Sequence, residues 1–388
     1  MRLLQIVTRP QRRGAEVFAS ELSRELERRG HPVATAYLYA APEPRLPLRP
    51  GDLALDGDER SGLERAPGFQ PGLVVALRRA VASFGPDVVQ VNGSRTVKYG
   101  SLLRRLDRRA PWALVYRSIG TPSDWLRGPL HKALVRRVVM SQMDGVVAVS
   151  RATLEDLARC YRLEVPAVAI PRGVDPERFA PAAPREAVRR AVGADVGAPV
   201  LLYVGSLTAE KRLDRLIRVA AAVADRRVAL GGAAPELWIA GDGPLRNEVE
   251  TAAAGAAPAV RVLGARADVA DLMGAADLLL LTSDTEGMPG VVLEAACVGL
   301  PAVATRVGGT GEAIVDGETG VLVDPADEAG AAEAVAALLA DPERRRALGA
   351  AARRRVQREF SIGPIAERYL AHYERVRAHR ADRRAGGR

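Results

Sequence analysis

Aromatic side chains are scarce in this chain of 388 residues, at 4%, so its cores must be built from Ala, Val and Leu. Two cysteines, Cys160 and Cys297, exclude a disulfide framework and a cysteine metal cluster. Nothing needs oxidation to fold, which fits a reducing cytoplasm. No apolar run approaches the roughly 20 residues that cross a bilayer. The opening MRLLQIVTRP is too short, and too soon followed by charge, for a signal peptide, and reads as a first strand. Lysine is nearly absent: Lys98, Lys132 and Lys211 are three of 56 basic residues.

What is present is an ordinary globular balance, 48% apolar and 27% charged, in a chain long enough for two domains. The net charge of +9 is uneven. Residues 1–170 hold 27 basic against 17 acidic side chains, whereas the remainder holds 29 against 30. The excess lies in pairs such as Arg12-Arg13, Arg78-Arg79, Arg104-Arg105, Arg108-Arg109 and Arg136-Arg137. It points to an anionic partner, whether phospholipid surface, phosphorylated acceptor or nucleic acid, or else to solvated helix faces of arginine-rich composition. Neither aromatic platforms nor a recognisable motif support nucleic acid.

Short β-branched apolar runs alternate with longer amphipathic stretches, the pattern of parallel sheets with crossover helices. Expected strands are Leu3–Thr8, Val33–Tyr39, Val88–Asn92, Ala113–Arg117 and Gly145–Val149. A second set runs Pro199–Val204, Leu237–Ala240, Val260–Leu263, Asp277–Thr282, Ala302–Thr305 and Gly320–Val323. Residues 41–72 read as an irregular insertion, Ile170–Ala183 as the join, 328–357 as helical and Pro364–Arg377 as a last helix before a disordered tail from Arg380. The fold class is therefore α/β: two Rossmann-like, doubly wound domains facing across a cleft, with the carboxyl edges of their sheets toward it.

The most informative segment is Thr282–Ala295. A strand ends, a polar loop with Gly287 follows, and a helix opens near Gly290. Free N–H groups of Gly290, Val291 and Val292 at that helix start would form an anion site, and the glycines admit a ligand close to the backbone. Glu286 lies in the loop and Glu294 eight positions on, about two helical turns along. Two carboxylates beside a phosphate site make sense if one contacts a sugar and the other a ribose.

This segment, with Gly299-Leu300-Pro301-Ala302-Val303-Ala304-Thr305, Val307-Gly308-Gly309, Glu312 and Asp316–Gly320, resembles the nucleotide-sugar signature of retaining family-four glycosyltransferases of the GT-B fold. Tyr203–Leu207 with Lys211 resembles that family's strand and loop carrying a basic residue to the donor diphosphate. Ala240–Leu245, Leu263–Arg266 with Asp268, Pro171–Asp175 and Gly14-Ala15-Glu16 match further family elements. The resemblance implies an N-terminal acceptor-binding domain at 1–170, a hinge at 171–183, a donor-binding domain at 184–360, and a helix 364–378 packed back on the first.

It also implies roles. Lys211 and the helix start would stabilise the departing diphosphate, with Ser206, Arg212, Arg266, Gly287 and Gly14 nearby. Glu286 would hold the sugar and Glu294 the ribose of a UDP- or GDP-sugar, with no metal or other cofactor. Catalysis would fall to Glu286 and Lys211.

Departures are Arg13 for the first glycine of the N-terminal loop, Ser206 for the usual Arg, and Arg172 for the hinge Asn. No histidine stands in Tyr116–Thr121, where many members carry one; Arg117, Ser118, Thr121 and Asn92 are the acceptor-side candidates. That gap keeps a nucleotide-sugar epimerase or hydrolase as an alternative, and Ser206 alone favours a partner protein with a decayed site. A dinucleotide oxidoreductase is disfavoured, because Arg9–Gly14 lacks the required glycine pattern. The acceptor would be a glycan, a lipid-linked or a small molecule. The basic stretches 101–109 and 126–139 suggest contact with an anionic membrane at its inner, cytoplasmic face.

Overall fold

The computed structural model describes every residue except 12, 42–44, 58–69, 125, 127, 257–258 and 387–388. Arg12, parts of the expected 41–72 insertion and the end of the tail therefore lie outside the described residues. The chain forms two compact units, Met1–Gly173 with Ile362–Arg388, and Val174–Ser361.

In the first unit the order is β1 (Leu3–Val7), α1 (Gly14–Arg28), β2 (Val33–Tyr39), β3 (Leu53–Gly57), α2 (Pro71–Phe84), β4 (Val88–Asn92), α3 (Ser94–Leu106), β5 (Ala113–Ser118), α4 (Pro129–Val138), β6 (Gly145–Ala148), α5 (Arg151–Tyr161) and β7 (Ala167–Ala169). Seven described strands pair in the order β3-β2-β1-β4-β5-β6-β7, all parallel. The strand β3 corrects the reading of 41–72 as wholly irregular. It sits at the sheet edge, largely exposed, so burial imposes no apolar alternation on it.

The two faces of this sheet differ. Leu4, Ile6, Val89, Val91 and Leu114 point to an apolar layer with Leu77, Leu103 and Leu157 of the covering helices. The opposite face carries Leu3, Val88, Ala113 and Val115 against Phe18, Leu22 and Leu26 of α1, and against Ile365, Tyr369, Tyr373 and Val376 of the C-terminal helix. That helix runs Ile362–Gly386, so residues 380–386 of the expected disordered tail are helical. The reason is tertiary: Arg380 donates to Asp144 Oδ1 at 2.7 Å, and Arg384 to the Ala110 carbonyl at 2.6 Å.

The second unit continues with α6 (Arg185–Ala191), β8 (Val200–Val204), α7 (Leu213–Ala229), β9 (Glu236–Ala240), α8 (Arg246–Ala254), β10 (Val260–Gly264), α9 (Val269–Ala275), β11 (Leu278–Leu281), α10 (Gly290–Val298), β12 (Ala302–Thr305), α11 (Thr310–Ala313), β13 (Gly320–Val323), α12 (Glu328–Ala340) and α13 (Pro342–Arg355). Its described strands are parallel in the order β10-β9-β8-β11-β12-β13. The four leucines of β11 are fully buried, as a central parallel strand covered on both faces demands. Residues 328–357 are not one helix. Asp341 accepts the Arg344 N–H at 2.8 Å and Pro342 opens a new helix, so α12 and α13 separate there.

Candidate active site

Strand order in the second unit reverses between β8 and β11, and the loops at their carboxyl ends meet there. Four bonds pin the loop after β11. The Asp284 N–H donates to the Glu210 carbonyl at 2.9 Å, and the Thr282 hydroxyl to the Arg212 carbonyl at 3.1 Å. From the other side, the Thr305 hydroxyl donates to the Ser283 carbonyl at 2.6 Å, and the Gly309 N–H to the Glu286 carbonyl at 3.0 Å. Gly308 makes the last contact possible. Its φ is +49°, and a Cβ there would lie 1.8 Å from the Glu286 carbonyl oxygen.

The loop so held presents Glu286 to Lys211. Lys211 ends a single 3-10 turn, Ala209–Lys211, after β8. Its Nζ lies 2.7 Å from Glu286 Oε1, and the Ser283 hydroxyl donates to that same oxygen at 2.7 Å. Both side chains are partly open, 20% and 12% exposed, so a ligand can reach them. Just beyond, α10 opens with Pro289 at its cap position and no side-chain cap. The Val292 N–H is not free as expected; it donates to the Pro289 carbonyl at 3.1 Å. Gly290 and Val291 retain amides with no backbone acceptor among the described residues, which leaves two donors facing the helix mouth. Glu294 is half-buried on α10.

The other expected donor residues are placed as follows. Ser206 shares a hydrogen bond of 3.2 Å with Thr208, whose hydroxyl donates to Glu210 at 2.7 Å. Tyr203 donates to the Ser206 carbonyl at 2.9 Å. Burial, aided by the Glu286 and Glu210 charges, pushes that phenol well above its ordinary range. Arg212 is taken up by Asp214 at 2.9 Å and Asp284 at 3.2 Å, and this pairing holds the Asp214 carboxyl far below the usual range. Arg266 forms a two-pronged pair with Asp268 at 2.8 and 2.6 Å. Gly287 lies in the loop, half-buried, between Glu286 and α10.

In the first unit the acceptor-side candidates divide. Arg117 does not face solvent: it is 1% exposed, donates to the Tyr369 hydroxyl at 3.0 Å and stacks 4.4 Å above the Phe18 ring. Asn92 is likewise buried, bonded to the Gln5 side chain at 3.3 Å and the Ile6 carbonyl at 3.2 Å. Gln5, Gln90, Asn92 and Arg117 form a polar row under α1 and the C-terminal helix, sealed by Tyr373 donating to Gln90 at 2.7 Å. Ser118 is buried and donates to the Gly120 carbonyl at 3.0 Å. Thr121 is half-buried on the loop after β5. Gly14 opens α1; a Cβ there would lie 3.0 Å from the Arg172 guanidinium, so the arginine at the expected hinge packs against the N-terminal loop.

Sequence reasoning missed Ser283, Thr305 and Arg215 as shapers of the site. Arg215 is buried, donates to the Thr282 carbonyl at 2.9 Å and pairs with Asp284 at 2.8 Å. Ser283 and Thr305 border the motif, but their task depends on a loop conformation that spacing does not reveal. Among the described residues, no three His, Cys, Asp or Glu side chains converge as a metal would require.

Comparison with known proteins decides the family. A model of glycosyl transferases group 1 matches residues 184–355, and one of glycosyltransferase family 4 matches residues 12–178. The D-inositol 3-phosphate glycosyltransferase of Xylanimonas cellulosilytica is 30% identical over 367 residues, covering 88% of this chain and 86% of that protein. The chain belongs to glycosyltransferase family 4. The GDP-mannose-dependent alpha-mannosyltransferase of Mycobacterium tuberculosis is 32% identical, covering 80% of this chain and 78% of that protein. The alpha-maltose-1-phosphate synthase of Mycolicibacterium smegmatis is 34% identical, covering 63% of this chain and 66% of that one.

The fold is that of the Anabaena protein Alr3699/HepE solved with UDP and glucose, at a TM-score of 0.77 and 19% identity over 96% of this chain and 98% of that one. This glycosyltransferase therefore has the GT-B fold and moves a hexosyl group from a nucleotide-sugar donor with retention of configuration.

Proposed function

We propose that the donor diphosphate binds between Lys211 and the first turn of α10, with Glu286 on the sugar hydroxyls and Glu294 on the ribose. The observation that carries this is the 2.7 Å Lys211–Glu286 contact beside the two open amides of α10. Without donor, Glu286 occupies the ammonium. An incoming diphosphate takes Lys211 for itself and leaves Glu286 to accept sugar hydroxyls. As the sugar–phosphate bond breaks, charge gathers on the leaving oxygens, where Lys211 and the helix start oppose it. Ser283 keeps Glu286 oriented throughout. The acceptor hydroxyl attacks from the leaving-group face, and the departing phosphate takes its proton. This electrostatics needs no divalent metal, and turnover should persist in EDTA.

The donor carries UDP or GDP; relatives and structural neighbours with either in their names support that range. The acceptor is a glycan, lipid-linked or small molecule in the cytoplasm, and Thr121 is the acceptor-side candidate that is not fully buried. The basic first half supports a lipid-linked acceptor at a membrane surface. The test is a thermal-shift screen of UDP- and GDP-sugars on wild type, Lys211→Ala and Glu294→Ala. Loss of nucleotide-dependent stabilisation in both variants is expected; unchanged shifts would overturn the donor assignment.

A further inference from the structure

The first sheet also has a point where strand order reverses, between β1 and β4, and open parallel sheets bind ligands beyond the carboxyl ends of the strands at such points. Arg9 leaves β1 three residues past Ile6, and Ser94 opens α3 three residues past Val91, the register partner of Ile6. The Tyr39 N–H donates to the Thr8 carbonyl at 2.9 Å, which brings the end of β2 to the same edge. Arg95 and Lys98 lie three apart near the start of α3 and so share one face of that helix. Arg13 stands at the cap position of α1.

Burial, with the charges of Arg95 and Arg13, lowers the Arg9 guanidinium below its ordinary value, and burial with the Arg95 charge does the same to the Lys98 ammonium. The four cations thus form a chain of mutual repulsion centred on Arg9 and Arg95. Arg95 and Lys98 also stand at the unfavourable end of their helix. A helix start favours acidic side chains, and the first turn of α3 has none. The carboxylate that most opposes Arg9 is Glu16. It is 7% exposed, accepts from Gln11 at 3.1 Å and is pushed toward its neutral form by burial, so it cannot balance the group. Arg13 and Arg95 are exposed and Arg9 and Lys98 half-buried, so an anion can reach them.

We infer that the acceptor of this glycosyltransferase carries a phosphate group, bound by Arg9, Arg95 and Lys98 at the switch point of the first sheet. Two guanidinium forks and an ammonium match the oxygens of a phosphate, which as a monoester bears nearly two negative charges at neutral pH. A nucleic-acid strand does not fit. The rings beside the cluster, Tyr39 and Tyr99, are buried with their hydroxyls 3.0 Å apart and offer no face to stack a base. The role as acceptor site rests on the proposed function; the affinity for phosphate rests on the first unit alone.

The experiment is a thermal-shift titration of the Lys211→Ala chain, which silences the proposed donor site, with inorganic phosphate against sodium chloride of matched ionic strength. Phosphate should raise the melting point above the chloride control. Adding Arg95→Gln/Lys98→Gln should weaken that response at least about tenfold, the loss expected for two charge-assisted contacts. Adding Arg78→Gln/Arg79→Gln instead, which removes the same charge from exposed positions on α2, should leave the response unchanged. Titrating the wild-type chain with glucose 6-phosphate and with dihexanoyl phosphatidylinositol then separates a soluble phosphate ester from a lipid headgroup. At least one of them should bind, and Arg95→Gln/Lys98→Gln should weaken it.

The proposal falls if phosphate does no more than chloride, if the α3 double variant responds like its parent, or if the α2 double variant loses as much. It falls equally if neither ester binds. Retention of the nucleotide-induced shift in Lys211→Ala would sink the donor reading and leave this one standing.

Discussion

Lys211 and Glu286 stand 75 positions apart yet meet at 2.7 Å, so each can be tested against the other. Lys211→Ala should lower kcat/KM by about 10²–10³-fold, the usual cost of losing one well-placed charge at a leaving group. Lys211→Arg should recover only part of this, because a planar fork replaces a compact ammonium. Steady-state kinetics with saturating acceptor provide the measurement. Gly308→Ala acts through the backbone: its new Cβ would collide with the Glu286 carbonyl, so the loop must move. The expected result is loss of the nucleotide-induced thermal shift in a chain whose far-ultraviolet circular dichroism is unchanged. A lone lysine among arginines and a Glu-Gly before a helix were legible, whereas Ser283 and Arg215 became visible only through the loop they hold.

Among the elements, the C-terminal helix is the one whose sequence understates it. Just before its midpoint, His372 is 3% exposed, and burial with the Arg375 charge presses its imidazole down to about 4. A depressed histidine is neutral when folded but takes a proton when unfolded below about pH 6.5. Its contribution is thus present above that pH and lost as pH falls toward 4, with the unfolded state binding the extra proton. Melting temperature should drop across that window, and His372→Leu should flatten the drop. The same helix places Arg380 on Asp144, which also accepts from Arg104 at 2.7 Å and from the Leu114 N–H at 2.8 Å. Asp144→Ala should cost about 3–5 kcal/mol in denaturant unfolding, because it strands buried guanidinium groups. The periodicity from 364 to 377 announced a helix, but its continuation past Arg380 depends on partners more than 200 residues away.

For the whole molecule, the placement of the proposed donor site within Val174–Ser361 has a consequence. Asp144→Ala, although destabilised in the first unit, should still gain about 2.7 kcal/mol from a nucleotide diphosphate at one hundred times its Kd. Calorimetry with and without UDP or GDP would check this; loss of that gain would mean the donor site extends beyond its own unit. The alternation of strands and helices and the division into two parallel-sheet domains were fixed by local pattern, since parallel strands buried on both faces must be apolar. Burial decided the rest. The family resemblance made Arg117 and Asn92 acceptor-side candidates, yet both belong to a sealed polar row beneath α1 and the C-terminal helix. Two basic stretches looked alike in composition, but α3 spends Arg104 on the core while α4 keeps its leucines in water. Sequence spacing determines which residues share a face; only the tertiary structure determines whether that face is covered.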